Sequence, residues 1–166
     1  MLTAETTIRQ GLRPGDIGAV ARMHGVLYER EHGLDYRIEA SVAESMAGSA
    51  VALAASDGAA LWVADHERDV VGAIGMTAEG GGVVRLRWFI VAPETRGAGI
   101  GGRLLDAGLG WARGQGYERV VLFTFGDLVA AARLYARAGF RKVSERVGTE
   151  WSEVMVEERW ELQLRQ

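Results

Sequence analysis

The chain has 166 residues, nearly half of them apolar and a quarter charged, with a formal net charge of −3 and no cysteine. That length supports one ordinary domain, residues 1–166, with a sizeable core, and charges of both signs spread along the chain disfavour a nucleic-acid partner. Without cysteine there is no disulfide, no thiolate metal site and no acyl-cysteine intermediate. In chain order, the apolar periodicity predicts a strand at about 6 to 10, a helix from Asp16 to near Glu31 and a second helix from about 38 to 53. Strands follow at about 60 to 65, 70 to 77 and 83 to 91, the first two joined by the turn Glu67-Arg-Asp69, which reads as a hairpin. Glu79-Gly-Gly-Gly82 reads as the loop before the third. A helix to about Arg113, a strand at 119 to 125, a helix at 128 to 138 and strands near 141 to 147 and 154 to 164 complete the series. The expected fold is mixed α/β, a mostly antiparallel sheet of about seven strands flanked by about four helices.

No apolar run approaches the ~20 residues needed to cross a bilayer, and Met1-Leu-Thr-Ala-Glu5 lacks the basic and apolar parts of a signal peptide. A cytoplasmic location is therefore expected. Trp151 and Trp160 near the closing strands either cap the core or serve a homodimer interface.

The stretch Arg96-Gly-Ala-Gly-Ile-Gly-Gly102 lies between the apolar run 86 to 91 and the amphipathic run that starts at Arg103. Glycines at 97, 99, 101 and 102 have no Cβ to hold a ligand off, so successive N–H groups entering a helix can point at one pyrophosphate, aided by the helix dipole. Leu104, Leu105, Gly108, Trp111 and Ala112 fall on one helical stripe, which fixes that helix against a sheet. A P-loop would end in Gly-Lys-Ser/Thr, but this chain continues Gly102-Arg103-Leu104. A dinucleotide fingerprint is matched literally by Gly97-x-Gly99-x-x-Gly102, with Asp127 beyond the next apolar run. Five residues, Ala92-Pro-Glu-Thr-Arg96, separate that match from its strand, and no further strand and helix alternation follows.

The pattern Arg96-x-x-Gly99-x-Gly101, preceded by Val91-x-Pro93, resembles the GNAT superfamily of N-acetyltransferases. A second element, Ala131-x-x-Leu134-Tyr135 followed by Gly139-Phe140, resembles the same family in the same order. The resemblance implies a sheet splayed at the cofactor site, with acetyl-CoA as cosubstrate. It places the pyrophosphate on Arg96, Gly97, Ala98, Gly99, Ile100, Gly101 and Gly102, pantetheine on Phe89, Ile90 and Val91, and Tyr135 near the CoA sulfur. Leu128 stands where many members carry an asparagine that contacts pantetheine. The segment Met23-His-Gly-Val-Leu-Tyr-Glu-Arg-Glu-His-Gly33 also looks like the GNAT domains fused to MarR-type regulators, whose DNA-binding half is not expected here.

The residues suggest further roles. A phenol at Tyr135 with an ordinary pKa of ~10 stays protonated at neutral pH and can give its proton to a departing thiolate of pKa ~8.5. Alternatively, Tyr135 belongs to an apolar stripe with Leu128, Ala131 and Ala132 and is a core residue. On the first helix His24 and Tyr28 share the buried face, and Glu31 continues the row, so the three are candidates for an acceptor pocket, Glu31 as a catalytic carboxylate. A buried histidine, a packed tyrosine and a solvated glutamate are the ordinary alternatives.

Arg85 and Arg87 alternate with Leu86, Trp88 and Ile90, which puts both arginines on one strand face with Phe89 and Val91. Arg87 is the candidate to meet a carboxylate or phosphate on the acceptor, against the alternative of covering a solvated sheet face. No acid lies on that strand, which leaves the general base unassigned. Spacing gives no metal site among His24, His32 and His66. The reading is an acetyl-CoA-dependent N-acetyltransferase acting on a primary amine by direct attack in a ternary complex, with no metal. A non-catalytic acyl-CoA sensor is the main alternative and a nucleotide-dependent oxidoreductase the weaker one.

Overall fold

The structure is a computed structural model that describes residues 5–149 and 154–164. Trp151 and most of the segment read for a signal peptide, residues 1–4, lie outside the described residues. The elements follow in the order β1 (Thr6–Gln10), α1 (Asp16–His32), α2 (Tyr36–Ala55), β2 (Ala59–His66), β3 (Asp69–Gly80), β4 (Val83–Val91), α3 (Ile100–Gly114), β5 (Arg119–Phe125), α4 (Val129–Ala138), β6 (Arg141–Gly148) and β7 (Met155–Gln163). All seven strands form one sheet in the order β1-β2-β3-β4-β5-β7-β6. Every neighbouring pair is antiparallel except β4 and β5, which are parallel. This is the mixed, mostly antiparallel sheet with four helices that the periodicity predicts, and it is not the doubly wound parallel sheet of a dinucleotide-binding fold.

Several helix ends have a local cause. The Asp35 carboxylate accepts the Arg37 amide at 3.0 Å and caps α2, while Gly33 and Gly139 take left-handed conformations at the ends of α1 and α4. Asp16, buried at the start of α1, accepts the Arg13 amide and two bonds from the Arg9 guanidinium of β1, whose Nε donates to Asp65 of β2 at 2.6 Å. That network holds the guanidinium cationic and pins α1 to the first strand pair.

The sheet separates two apolar clusters. Leu86, Ile74 and Met76 pack with Ile100, Leu104, Leu105 and Leu109 of α3 on one side. Ala73, Val63 and Trp88 pack with Val20 of α1 and Met46 and Leu53 of α2 on the other. Leu104 and Leu105 are 0% and 2% exposed, and at ~1.5 to 3 kcal/mol per buried leucine they fix the start of α3 firmly. Trp111, expected on the same buried stripe, is only half-buried and meets Trp62 edge-on with ring centres 5.9 Å apart. At the far edge β6 is exposed along nearly its whole length.

Candidate active site

The centre of the sheet is incomplete. β4 and β5 pair only through Val83, Val84 and Arg85 with Arg119, Val120 and Val121; beyond these rungs the strands diverge, leaving residues 86–91 of β4 bonded to β3 alone. A bulge accompanies the divergence. The β3 register steps from Ala73↔Ile90 to Gly75↔Arg87, so two residues of β4, Trp88 and Phe89, face Ile74, and Trp88 adopts φ +52°. A bulky residue with positive φ is uncommon and needs its surroundings to hold it. Here the indole Nε1 donates to Ser45 Oγ of α2 at 2.8 Å, and the ring lies so close over Gly75 that a Cβ there would be 2.2 Å from it.

The bulge corrects one expectation. Alternation read straight through β4 puts Arg85 and Arg87 on the face of Phe89 and Val91. Because Arg87 and Trp88 both point to the α1/α2 side, the alternation inverts, and Phe89 and Val91 join Leu86 on the α3 side while the arginines stay opposite.

The glycine stretch follows at once. Pro93–Thr95 forms a short 3-10 turn, Arg96 is extended, and Gly97 and Gly99 have φ of +85° and +79°, a region that side chains rarely enter. The first main-chain bond of α3 runs from the Arg103 amide to the Gly99 carbonyl at 3.0 Å, so the amides of Ile100, Gly101 and Gly102 precede it without an intrahelical acceptor. Their N–H groups and the helix dipole make this end attractive to an anion. Gly101 sits at a junction: a Cβ there would lie 3.5 Å from both Phe89 and Leu134 and 3.6 Å from Val91, so the loop, the open half of β4 and α4 meet at one place. Arg96 donates to the Val91 carbonyl at 3.2 Å and to both oxygens of Glu31, at 2.8 and 3.3 Å.

A cavity of about 170 Å³ opens into the gap between β4 and β5. His24 and Tyr28 of α1, Ser45 of α2, Arg85, Arg87 and Phe89 of β4, Phe123 and Thr124 of β5, Leu128, Tyr135 of α4 and Glu157 of β7 all line it. Sequence reasoning thus named Tyr135, His24, Tyr28, Arg87 and Phe89, which the fold brings together. Glu31, the candidate catalytic carboxylate, is not in this wall; it is bound to Arg96 of the glycine loop. Missed were Ser45, Phe123, Thr124 and Glu157, which come from elements that carry no motif and whose approach depends on strand order.

The wall is mostly uncharged at the α1 end. His24 is 4% exposed and its Nδ1 lies 2.9 Å from the Val20 carbonyl; burial brings its pKa down to about 4, so the ring is neutral at pH 7, with Nδ1–H donating to that carbonyl. Tyr28 stands edge-on to it at 5.6 Å, and burial with the nearby Glu31 charge pushes its phenol up to about 12. Tyr135 is 5% exposed between Phe89, Phe140 and Trp160, with ring centres 6.0, 5.7 and 6.4 Å away, and burial raises its pKa above the ordinary tyrosine value. Trp160 therefore helps enclose Tyr135, its own Nε1 donating to Glu158 at 2.9 Å.

The profile of the Acetyltransferase (GNAT) family matches residues 27–140. The chain belongs to that family. Among GNAT relatives, human N-acetyltransferase 8B is 34% identical over 103 residues, covering 59% of this chain and 45% of that protein. The chain thus spans less than half the length of that curated relative. A GNAT-family acetyltransferase from Staphylococcus aureus MU50 superposes with a TM-score of 0.78 at 16% identity, covering 97% of this chain and 100% of the other. The structure of yncA from Salmonella typhimurium with its cofactor acetyl-CoA superposes with a TM-score of 0.74 at 19% identity over 97% of this chain and 95% of that one. Among the described residues no helix is long and apolar enough to cross a membrane.

Proposed function

We propose that the chain is an acetyl-CoA-dependent N-acetyltransferase that passes the acetyl group directly to a primary amine in a ternary complex. The observation that carries this reading is the meeting, at Gly101, of a row of helix-start amides, an unpaired strand edge and the helix bearing Tyr135. The residues fit acetyl-CoA. The amides of Ile100, Gly101 and Gly102 with the Arg96 guanidinium suit a pyrophosphate, and the edge of β4 at Phe89, Ile90 and Val91, open on its β5 side, suits the amide-bearing pantetheine arm, as an added strand would. When bound, acetyl-CoA supplies an activated acetyl group and a thiolate leaving group.

The chain's own residues then divide the work. Tyr135 donates a hydrogen bond to the sulfur as negative charge develops there. Its raised pKa keeps the phenol protonated, and makes complete proton transfer steeper than the ~2 kcal/mol that separates an ordinary phenol from a thiol. His24, Tyr28 and Arg87 form the acceptor side of the cavity. Glu31 acts on Arg96, holding the guanidinium beside the loop rather than taking a proton from the amine. Leu128 lines the cavity with an apolar side chain and offers the arm no polar grip there.

Titration calorimetry with acetyl-CoA against NADH, followed by thiol release with a panel of amines, tests the reading. Saturable acetyl-CoA binding with amine-dependent release supports it. Binding without release from any amine favours the sensor, and selective binding of NADH overturns both.

A further inference from the structure

Resting on the acceptor site just described, we infer that Arg85 recognises a carboxylate on the acceptor, so that the preferred substrates are small amines that carry a free carboxylate. The two arginines of β4 are differently committed. Arg87 is engaged, its Nε donating to Thr77 Oγ1 at 3.0 Å and its NH2 lying 3.8 Å from Glu79. Arg85 is not. Its guanidinium carbon lies 4.5 Å over the ring of Phe123, and its Nε is buried with no hydrogen-bond partner. Among the described residues no carboxylate stands within ion-pair distance of it, although Glu79 and Glu157 contribute a weaker attraction from farther off.

A guanidinium fork stacked on an aromatic ring is already oriented, so little freedom is lost when a ligand binds it. A buried N–H without an acceptor is costly, which gives an incoming planar oxyanion more to gain here than at a solvated arginine. Burial and the neighbouring charge of Arg87 both disfavour the Arg85 cation, and an anion between the two would cancel the repulsion and stabilise the cation by its attraction. A carboxylate matches the fork with two parallel N–H···O bonds. The small cavity that Arg85 shares with Tyr135 sets the size class of the acceptor, with the carboxylate at β4 and β5 and the amine toward α4.

The test is binding first and turnover second. Amino acids and short ω-amino acids, each paired with its carboxamide, are titrated into the full chain saturated with CoA, for wild type, Arg85→Gln and Arg85→Lys. The expected result is that wild type binds the best acid about tenfold or more tightly than its amide, that Arg85→Gln brings the ratio to near one, and that Arg85→Lys falls between. Equal binding of acid and amide by wild type, or an undiminished preference in Arg85→Gln, overturns the proposal. Thiol release with the same pairs separates this from the parent reading. A carboxylate preference in binding with no acetyl transfer would remove the enzyme and leave the site, whereas transfer with no preference would do the reverse.

Discussion

β4 is two strands in one. Residues 83–85 are hydrogen-bonded on both sides and behave as the middle of a sheet, whereas residues 86–91, which contain the bulge, are bonded on one side only, and Leu86 to Phe89 border a cavity. Composition does not distinguish the halves, since both alternate partly exposed and buried side chains. The difference comes from the neighbours: β5 leaves after three rungs, and the Trp88 ring over Gly75 turns the later side chains over. An unpaired edge in the middle of a sheet thus coincides with a bulge seated on one aromatic residue, and its open N–H and C=O groups are available to a ligand.

Substitutions can break that contrast. The largest effect is expected from Tyr135→Phe beside the open half: the fold keeps its aromatic cluster, but thiol release with the best amine drops about 100-fold. A wild-type rate would move the chemistry elsewhere. Gly75→Ala attacks the bulge itself, since its Cβ would sit 2.2 Å from the Trp88 ring. Urea unfolding should show a loss of about 3 kcal/mol, with acetyl-CoA affinity falling at the same time because the open half shifts. In the paired half, Val84→Ala empties a fully buried position and should cost about 2 kcal/mol while leaving acetyl-CoA affinity unchanged. If Val84→Ala weakened the ligand as strongly as Gly75→Ala, the two halves would not be separable.

Two finer effects sharpen the picture. The unfolded chain takes up a proton on His24 near pH 6.5, but the folded chain does so only near about 4, so more protons are bound on unfolding between these values. Stability therefore falls as pH drops through that window, by at most ~1.4 kcal/mol per pH unit from this residue, and His24→Gln should flatten that part of the profile. Smallest is Glu31→Gln, which frees Arg96 and is expected to change acetyl-CoA affinity by about threefold, without altering the pH dependence of transfer. A change in that pH dependence would return Glu31 to proton transfer.

Much of this was legible in the chain. Strand and helix positions followed from periodicity, because each element buries one face and the two periods differ. The glycine stretch declared its local geometry through Gly97 and Gly99, which occupy conformations open to few other residues. What stayed hidden arose across distance. The Glu31 and Arg96 pair spans 65 residues of sequence, and the seating of Trp88 on Gly75 depends on the register of β3, which no pattern within β4 encodes. For the same reason Phe123 and Thr124 gave no sign of lining the cavity: their strand had to be placed next to β4 before they could line anything.

The short parallel seam has a mechanical consequence. The sheet is two antiparallel panels, β1 to β4 and β5 to β7, stitched by a hem of three rungs, with a wedge-shaped slot continuing the line of the hem. A rotation about the hem that widened the slot would break no rung inside either panel. Deuterium uptake that began at the hem amides, ahead of those inside either panel, would identify this line as a built-in hinge.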